Sequence, residues 1–425
     1  MQTTDSRFPE KKMLIAGSVG NFIEWYEFAV YGFLATVIAG NFFHLEGESD
    51  LTSLILTYAA FALAFFCRPI GAMIFGRIGD RIGRKPTLIA VLLLMTLATF
   101  LIGLMPTYAT VGVAAPLLLT LLRMLQGLFA GGEFGGAVAL MTEFAPAGKR
   151  GRYGAWQSFT VALGLLAGAG LVALLSALLT PEQLKGWGWR IPFLLALPMG
   201  LVALWLRSQL EEPPTFAKAQ KLEPAPLSSV VKAIVLGIGR MMGWSAAGYT
   251  FLVVMPSWLQ TALHASFQQA LLATVLGNVG FALTILPAGR LSDRYGRRSI
   301  MLLAMLVVVL FSYPLLALLQ QPDAALWLKG LAVLIAGAVV GMIAGPGPAM
   351  LAEMFPTRIR YTGLGLAYSL SNAVFSGCAG LIITGLIKQT GNIYIPAWYV
   401  MITGAISALA LLTLNRDDHL HDLKP

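Results

Sequence analysis

Gly76-Arg-Ile-Gly-Asp80-Arg81-Ile-Gly83-Arg84-Lys85 and Gly289-Arg-Leu-Ser-Asp293-Arg294-Tyr-Gly296-Arg297-Arg298 are two copies of one short segment. Each is a dense basic turn between apolar runs, and the copies stand 213 residues apart. A second landmark repeats at nearly the same distance: Glu143 through Pro146 to Arg150 matches Glu353 through Pro356 to Arg360, 210 residues on. Two independent landmarks at one period mean that a unit of about half the chain has been used twice. A repeat of that length carried by apolar segments predicts a membrane protein of two parallel bundles, with its site at their interface.

Composition places the chain in lipid. It is 57% hydrophobic and 12% charged, with a mean hydropathy of +0.76, whereas a soluble domain carries roughly 25% charged residues. The first apolar run begins near Met13 and continues too long for a cleavable signal, so the first helix is expected to be retained. Cys67 and Cys378 lie inside apolar segments of opposite halves. They read as core residues, not as a disulfide framework or a thiolate metal site; no metal and no cofactor is expected. The net charge of +9 does not point to nucleic acid, because 22 of the 29 Lys and Arg fall in the N-terminus, alternate loops and the C-terminus. By the positive-inside rule that side, with both termini, is the cytoplasm of a bacterial inner membrane.

Twelve runs suit a bilayer at roughly 20 residues per span: 13–39, 51–76, 86–104, 112–141, 153–178, 190–208, 231–260, 268–289, 299–319, 329–352, 361–387 and 394–414. Residues 209–230 are polar and proline-rich, which divides the chain into a bundle over 1–208, a cytoplasmic linker, and a second bundle with a short tail over 231–425. Small residues cluster at 127–136, 164–170, 341–347 and 363–365, where they let helices approach closely. Gly345-Pro-Gly-Pro348 predicts a kink.

The motifs also carry a family resemblance. The Gly-x-x-x-Asp-Arg-x-Gly-Arg-Lys/Arg pattern at both basic turns resembles the signature loop of the major facilitator superfamily. Narrower stretches are similar to its metabolite:proton symporter family, whose members include permeases for α-ketoglutarate, citrate, shikimate and proline/betaine. These are Asn21-Phe-Ile-Glu24-Trp-Tyr-Glu27-Phe, Arg68-Pro-Ile-Gly71, Arg123-Met-Leu-Gln126-Gly127 with Gly131-Gly-Glu133, and Trp187-Gly-Trp-Arg190-Ile-Pro192-Phe. The resemblance covers nearly the whole chain. It implies an all-α membrane protein of about twelve transmembrane helices in two pseudo-symmetric six-helix bundles. It also implies a part in proton transfer for Arg123, and a gating role for the signature loops: Asp80, Arg81 and Arg84 in one copy, Asp293, Arg294 and Arg297 in the other, with Glu143 and Glu353 beside them.

Six ionisable side chains fall inside the spans: Glu24, Glu27, Arg68, Arg123, Glu133 and Arg240. Each costs at least about 2.5 to 3.5 kcal/mol at the bilayer centre on insertion scales, so each is a functional candidate, and mutual pairing is the competing reading. Asn21, Glu24, Glu27 and Tyr31 share one helix face, which must point into the bundle. Two carboxylates one turn apart in a low dielectric disfavour simultaneous ionisation, which is the chemistry of a proton carrier. Glu24 and Glu27 are therefore the expected proton-coupling acids, with Glu133 a second proton site, a gate, or a partner for a signature-loop arginine. Arg240 belongs to no motif and is expected near mid-membrane, where its planar fork would take a carboxylate. Trp156, Gln157, Trp244, Tyr249, Trp258, Asn278, Tyr368 and Asn372, with Asn21, Tyr31, Arg68 and Gln126, complete the candidate cavity, while Trp187, Trp189 and Trp398 read as interfacial belt residues.

These features predict a proton-coupled symporter importing a small carboxylate metabolite by alternating access, as a monomer, with the proton gradient as its energy source. A proline or glycine-betaine symporter is the alternative. That branch often carries a long C-terminal coiled coil, and here the polar tail is short. A second alternative is a membrane sensor that binds solute without moving it. An intramembrane enzyme is disfavoured, since no HExxH occurs, no GxSxG with partners, and no His inside a span.

Overall fold

The computed structural model describes residues 10–44, 47–213, 223 and 225–424. Twelve long helical units follow one another: α1 (Glu10–Phe33), α2 (Asp50–Ile82), α3 (Arg84–Gly103), α4 (Ala114–Phe144), α5 (Arg150–Leu178), α6 (Pro181–Ser208), α7 (Leu227–Ala262), α8 (Phe267–Tyr295), α9 (Arg297–Gln320), α10 (Leu326–Met354), α11 (Thr357–Thr390) and α12 (Ile395–Leu411). Ten of them, α2 to α11, are long and apolar enough to cross a bilayer singly. α1 joins Ala35–Phe43 across a 63° bend to make an eleventh span, and α12 is apolar but shorter. Of the expected linker 209–230, residues 214–222 and 224 lie outside the described residues.

The basic turns occupy equivalent places. Gly83 (φ 129°) joins α2 to α3 and Gly296 (φ 91°) joins α8 to α9, and a reversal through the left-handed region is open to glycine at little cost. In the first turn, the carboxylate of Glu212 then accepts the N–H groups of Arg84 (3.0 Å) and Lys85 (2.8 Å) at the start of α3, as a helix N-terminus favours. Part of the expected linker is thus fastened to the first bundle.

Each bundle is drawn together by small residues. A Cβ on Gly127 of α4 would lie 1.8 Å from the carbonyl oxygen of Ala64 on α2, and one on Gly337 of α10 would lie 1.8 Å from that of Gly277 on α8. The bundles meet where α5 packs on α8 and where α2 packs on α11, a pair of seams related by the repeat. α10 is interrupted at 345–346, as its prolines predict, and α4 is interrupted at the corresponding 131–132. Large apolar side chains such as Phe66, Ile70, Leu101, Leu121, Leu283 and Leu310 are exposed along the outer helix faces. In water such surface is a liability, and in a bilayer it is the solvated face.

Candidate transport site

The bundles enclose a nearly shut central cavity, with about 40 Å³ open to water, lined by Trp25, Gln157, Ser158, Trp244, Ser245, Tyr249, Tyr368, Asn372 and Ser376 among others. Two of its walls are π-helical, Thr250–Val254 in α7 and Asn372–Gly377 in α11, a widening of the helix that recurs at functional sites. Several buried polar atoms here have no hydrogen-bond partner among the described residues: Gln157 Nε2, Tyr249 Oη and Asn372 Nδ2. Away from the termini, a vestibule of about 720 Å³ lies between the ends of α1, α2, α5, α7 and α8, with His44, Asp50, Lys185 and Gln260 in its walls.

Beside the cavity stands a buried ion pair, Arg68 Nη1 to Glu24 Oε1 at 2.8 Å. The Arg68 guanidinium is held over Phe65 (4.3 Å), Phe28 (4.4 Å) and Trp25 (5.6 Å), and its Nε and Nη2 have no hydrogen-bond partner among the described residues. Trp25, beneath the Arg68 guanidinium, is itself a wall of the cavity, which places the pair at the cavity edge. Deeper in the first bundle, Arg123 pairs with Glu27 and donates to Gln126 Oε1 (2.7 Å). Gln126 passes the chain on to Thr99 Oγ1 (2.8 Å), and the Tyr31 ring lies 4.1 Å from the Arg123 guanidinium.

A third pair joins Glu133 to Arg207 through both carboxylate oxygens. Arg207, fully buried, also donates to the carbonyls of Leu88, Ala16 and Gly17. Arg207 was not among the predicted site residues, because it sits in the last turn of α6 and reads there as an ordinary end-of-span basic residue. The six intramembrane charges sum to zero with Arg240 among them, so the sequence does not call for a further basic partner for Glu133.

Several expectations are corrected by this geometry. Arg240 does not reach the cavity: its Nη2 donates to Thr413 Oγ1 (3.1 Å) beyond the end of α12, and it shares a surface pocket with Glu353, Asp418 and His421. Arg240 lies well inside α7, which begins at Leu227, but its side chain leaves the helix towards Thr413 and the tail, a direction that depth along the helix does not fix. Tyr31 and Gln126 are engaged by Arg123 inside the first bundle and are absent from the cavity walls: the α1 face that carries Tyr31 turns towards α2, where its hydroxyl donates to the carbonyl of Thr57, and Gln126 on α4 bonds to Arg123 and Thr99. Glu133 has Arg207 as its partner, not a signature-loop arginine. Trp189 is also no belt residue, being fully buried against Phe42 and Phe193. Asn21 is fully buried, its two side-chain polar atoms have no hydrogen-bond partner among the described residues, and neither it nor Arg68 lines the cavity directly.

The face that carries the basic turns is closed by a duplicated network. Glu143 Oε1 accepts from Arg84 and, across the seam, from Arg360, both at 3.1 Å. Glu353 Oε1 accepts from Arg297 (2.7 Å) and, across the seam, from Arg150 (3.1 Å). Asp80 pairs with Arg84 (3.1 Å) and accepts from the hydroxyl of Thr362 (2.6 Å) at the start of α11. Asp293 pairs with Arg297 (2.8 Å) and accepts the N–H groups of Gly151 (2.8 Å) and Arg152 (2.9 Å) at the start of α5. Each aspartate therefore caps a helix of the opposite bundle. Arg81 and Arg294 are exposed at the rim, Arg294 over the ring of Tyr295. Among the described residues, no group of three His, Cys, Asp or Glu could hold a metal ion.

Comparison with known proteins fits this architecture. Residues 13–226 match the profile described as Sugar (and other) transporter, and residues 236–424 match that of the Major Facilitator Superfamily. The chain is 34% identical over 423 residues to the glycine betaine/proline/ectoine/pipecolic acid transporter OusA of Dickeya dadantii (strain 3937), covering 95% of this chain and 83% of that one. It is 35% identical over 403 residues to the citrate-proton symporter of Klebsiella pneumoniae, covering 93% and 90%. The proton:xylose symporter XylE bound to 6-bromo-6-deoxy-D-glucose shares the fold, with a TM-score of 0.78 at 18% identity over 95% of this chain and 94% of that one. A duplicated acidic and basic network, a cavity between two six-helix bundles and these matches make the chain a transporter belonging to the major facilitator superfamily.

Proposed function

We propose that the solute is a small zwitterion with a single carboxylate, of the betaine or amino-acid type, imported together with a proton. The observation that carries this reading is the Arg68–Glu24 pair beside an aromatic cavity. As an ion pair it contributes no net charge; when Glu24 takes a proton, Arg68 is left with an unmatched positive charge and unused donors. One carboxylate satisfies it, with the fork geometry of arginine favouring that group. The cationic end of such a solute is then served by the faces of Trp25, Trp244, Tyr249 and Tyr368. Proton and solute thus favour each other's binding, which is the thermodynamic content of symport.

A carboxylate metabolite is the second reading, favoured by the 35% identity to a citrate-proton symporter. With Arg240 outside the cavity, a tricarboxylate would find one fixed cation there. The chain would work as a monomer in the bacterial inner membrane with both termini in the cytoplasm, as its basic loops favour, and the latch would then be the closed cytoplasmic gate. The test is uptake of labelled glycine betaine and of labelled citrate into proteoliposomes under an imposed pH gradient, each with the other in excess. Concentrative betaine uptake that citrate does not inhibit supports the zwitterion. Citrate uptake indifferent to betaine overturns it, and binding of either solute without accumulation would make the protein a sensor.

A further inference from the structure

Next to Arg360 in the latch, α11 presents Tyr361, whose ring is 1% exposed. It enters a socket in the first bundle made of glycines. A Cβ on Gly79 of α2 would lie 2.4 Å from Tyr361 Cε2, and one on Gly136 of α4 would lie 2.6 Å from its Cζ and Oη. The hydroxyl donates to the carbonyl of Gly132, which the interruption of α4 makes available. Gly132 immediately precedes Glu133, and on the other side the Arg84 guanidinium lies 5.9 Å from the Tyr361 ring.

The repeat supplies a control. The residue 210 positions earlier is Gly151, and a Cβ there would lie 2.6 Å from the carbonyl of Gly289 on α8. One seam is therefore closed backbone to backbone, and the other by an aromatic ring set in glycines. Close approach alone does not require a ring, as the glycine seam demonstrates. What differs behind the two seams is charge: among the described residues, only the ring stands before a buried interior ion pair.

We propose that Tyr361 is a plug, carried by the second bundle, that seals the Glu133–Arg207 pair of the first bundle from water at the latch face until the bundles separate. Both partners of the pair are fully buried, so Glu133 exchanges no proton with solvent while the plug is seated. When the latch opens, α11 leaves α2 and α4, the ring leaves its socket, and water reaches the pair. Gly20, one turn before Glu24 on α1, packs against both Glu133 and Arg207, so a socket left open beneath an open vestibule would bring water from the latch face to within a helical turn of Glu24. The plug prevents that short circuit. The inference concerns the proton route and does not depend on which solute is carried.

The test is substrate-free proton leak into proteoliposomes under a pH gradient, read beside the solute accumulation ratio. Tyr361→Ala is expected to raise the leak several-fold and lower accumulation, whereas Tyr361→Phe keeps the ring and stays tight. Gly136→Ala, which displaces the ring from the other side, should leak by itself and add nothing to Tyr361→Ala, the non-additivity of residues in direct contact. Glu133→Gln combined with Tyr361→Ala should silence the leak. A tight Tyr361→Ala protein with wild-type accumulation overturns the plug, as does a leak that survives Glu133→Gln, which would indicate general loosening. If Tyr361→Ala does not reach the membrane, Gly136→Ala decides: a leak abolished by Glu133→Gln supports the plug, and a tight protein overturns it.

Discussion

The two bundles share their latch and differ in their interiors. At the latch, Glu143 and Glu353 each bridge one arginine of their own bundle and one of the other, and Asp80 and Asp293 each cap a helix across the seam. Inside the membrane the likeness ends. Among the described residues, the three buried interior ion pairs, Glu24 with Arg68, Glu27 with Arg123 and Glu133 with Arg207, all belong to the first bundle. The second bundle faces the cavity with neutral groups: Ser245, Tyr368, Asn372 and Ser376. Duplication preserved the part that must work on both sides of a pseudo-two-fold axis. The interior was free to diverge, one half handling charge and the other shape.

The sharpest way to break that comparison is to strand a charge. Arg207→Ala leaves Glu133 buried without its partner, and breaking a buried pair from one side costs about 3 to 5 kcal/mol. In the second bundle, Asn278 donates to the carbonyls of Thr274 and Leu252, and Asn278→Ala should cost about 1 to 3 kcal/mol. Unfolding of the purified variants in detergent measures both, and equal losses would mean that the interiors are not energetically distinct.

Coupling should follow the same division. Glu24→Gln keeps the shape of the protonated acid, so the variant should still exchange labelled solute across the membrane yet fail to concentrate it under a pH gradient. Asn372→Ala in the opposite wall should weaken apparent affinity while accumulation still responds to the gradient. Accumulation retained in Glu24→Gln would move the proton site to Glu27 or Glu133.

At the latch the expectation is sameness. Glu143→Gln and Glu353→Gln each weaken charge-assisted hydrogen bonds worth about 1.5 to 3 kcal/mol, and both should bias the transporter towards opening at that face to a similar degree. Cysteine accessibility on the latch side reads this directly. A large effect from one and none from the other would show that the repeat is conserved in form only.

The smallest effect is expected at Arg240. Its guanidinium meets Thr413 and the C-terminal tail, so Arg240→Ala should leave uptake at the wild-type level. Abolished uptake would return Arg240 to the solute path and revive the carboxylate-metabolite reading.

By itself the sequence determined the class and the repeat, with the two copies of the basic turn and of its acidic landmark. Apolar runs of bilayer length follow from the cost of unpaired backbone in lipid, and the period of the two basic turns and two acidic landmarks is written in residue order. Glu24, Glu27, Arg68 and Arg123 were legible too, because a charge in an apolar run stands out without any knowledge of its neighbours. Which charges meet was left to the tertiary structure. Glu133 and Arg207 are 74 residues apart in the chain, and Arg207 lies at a helix end where basic residues are ordinary. Arg240 has the opposite history, conspicuous in sequence and peripheral in space, because depth along a helix says nothing about the direction in which the side chain leaves it. The Tyr361 socket is equally invisible in one dimension: the glycines at 135 and 136 read as close helix contacts and Gly79 as part of a basic turn, and only packing shows that the space they leave is filled by a ring from the other bundle.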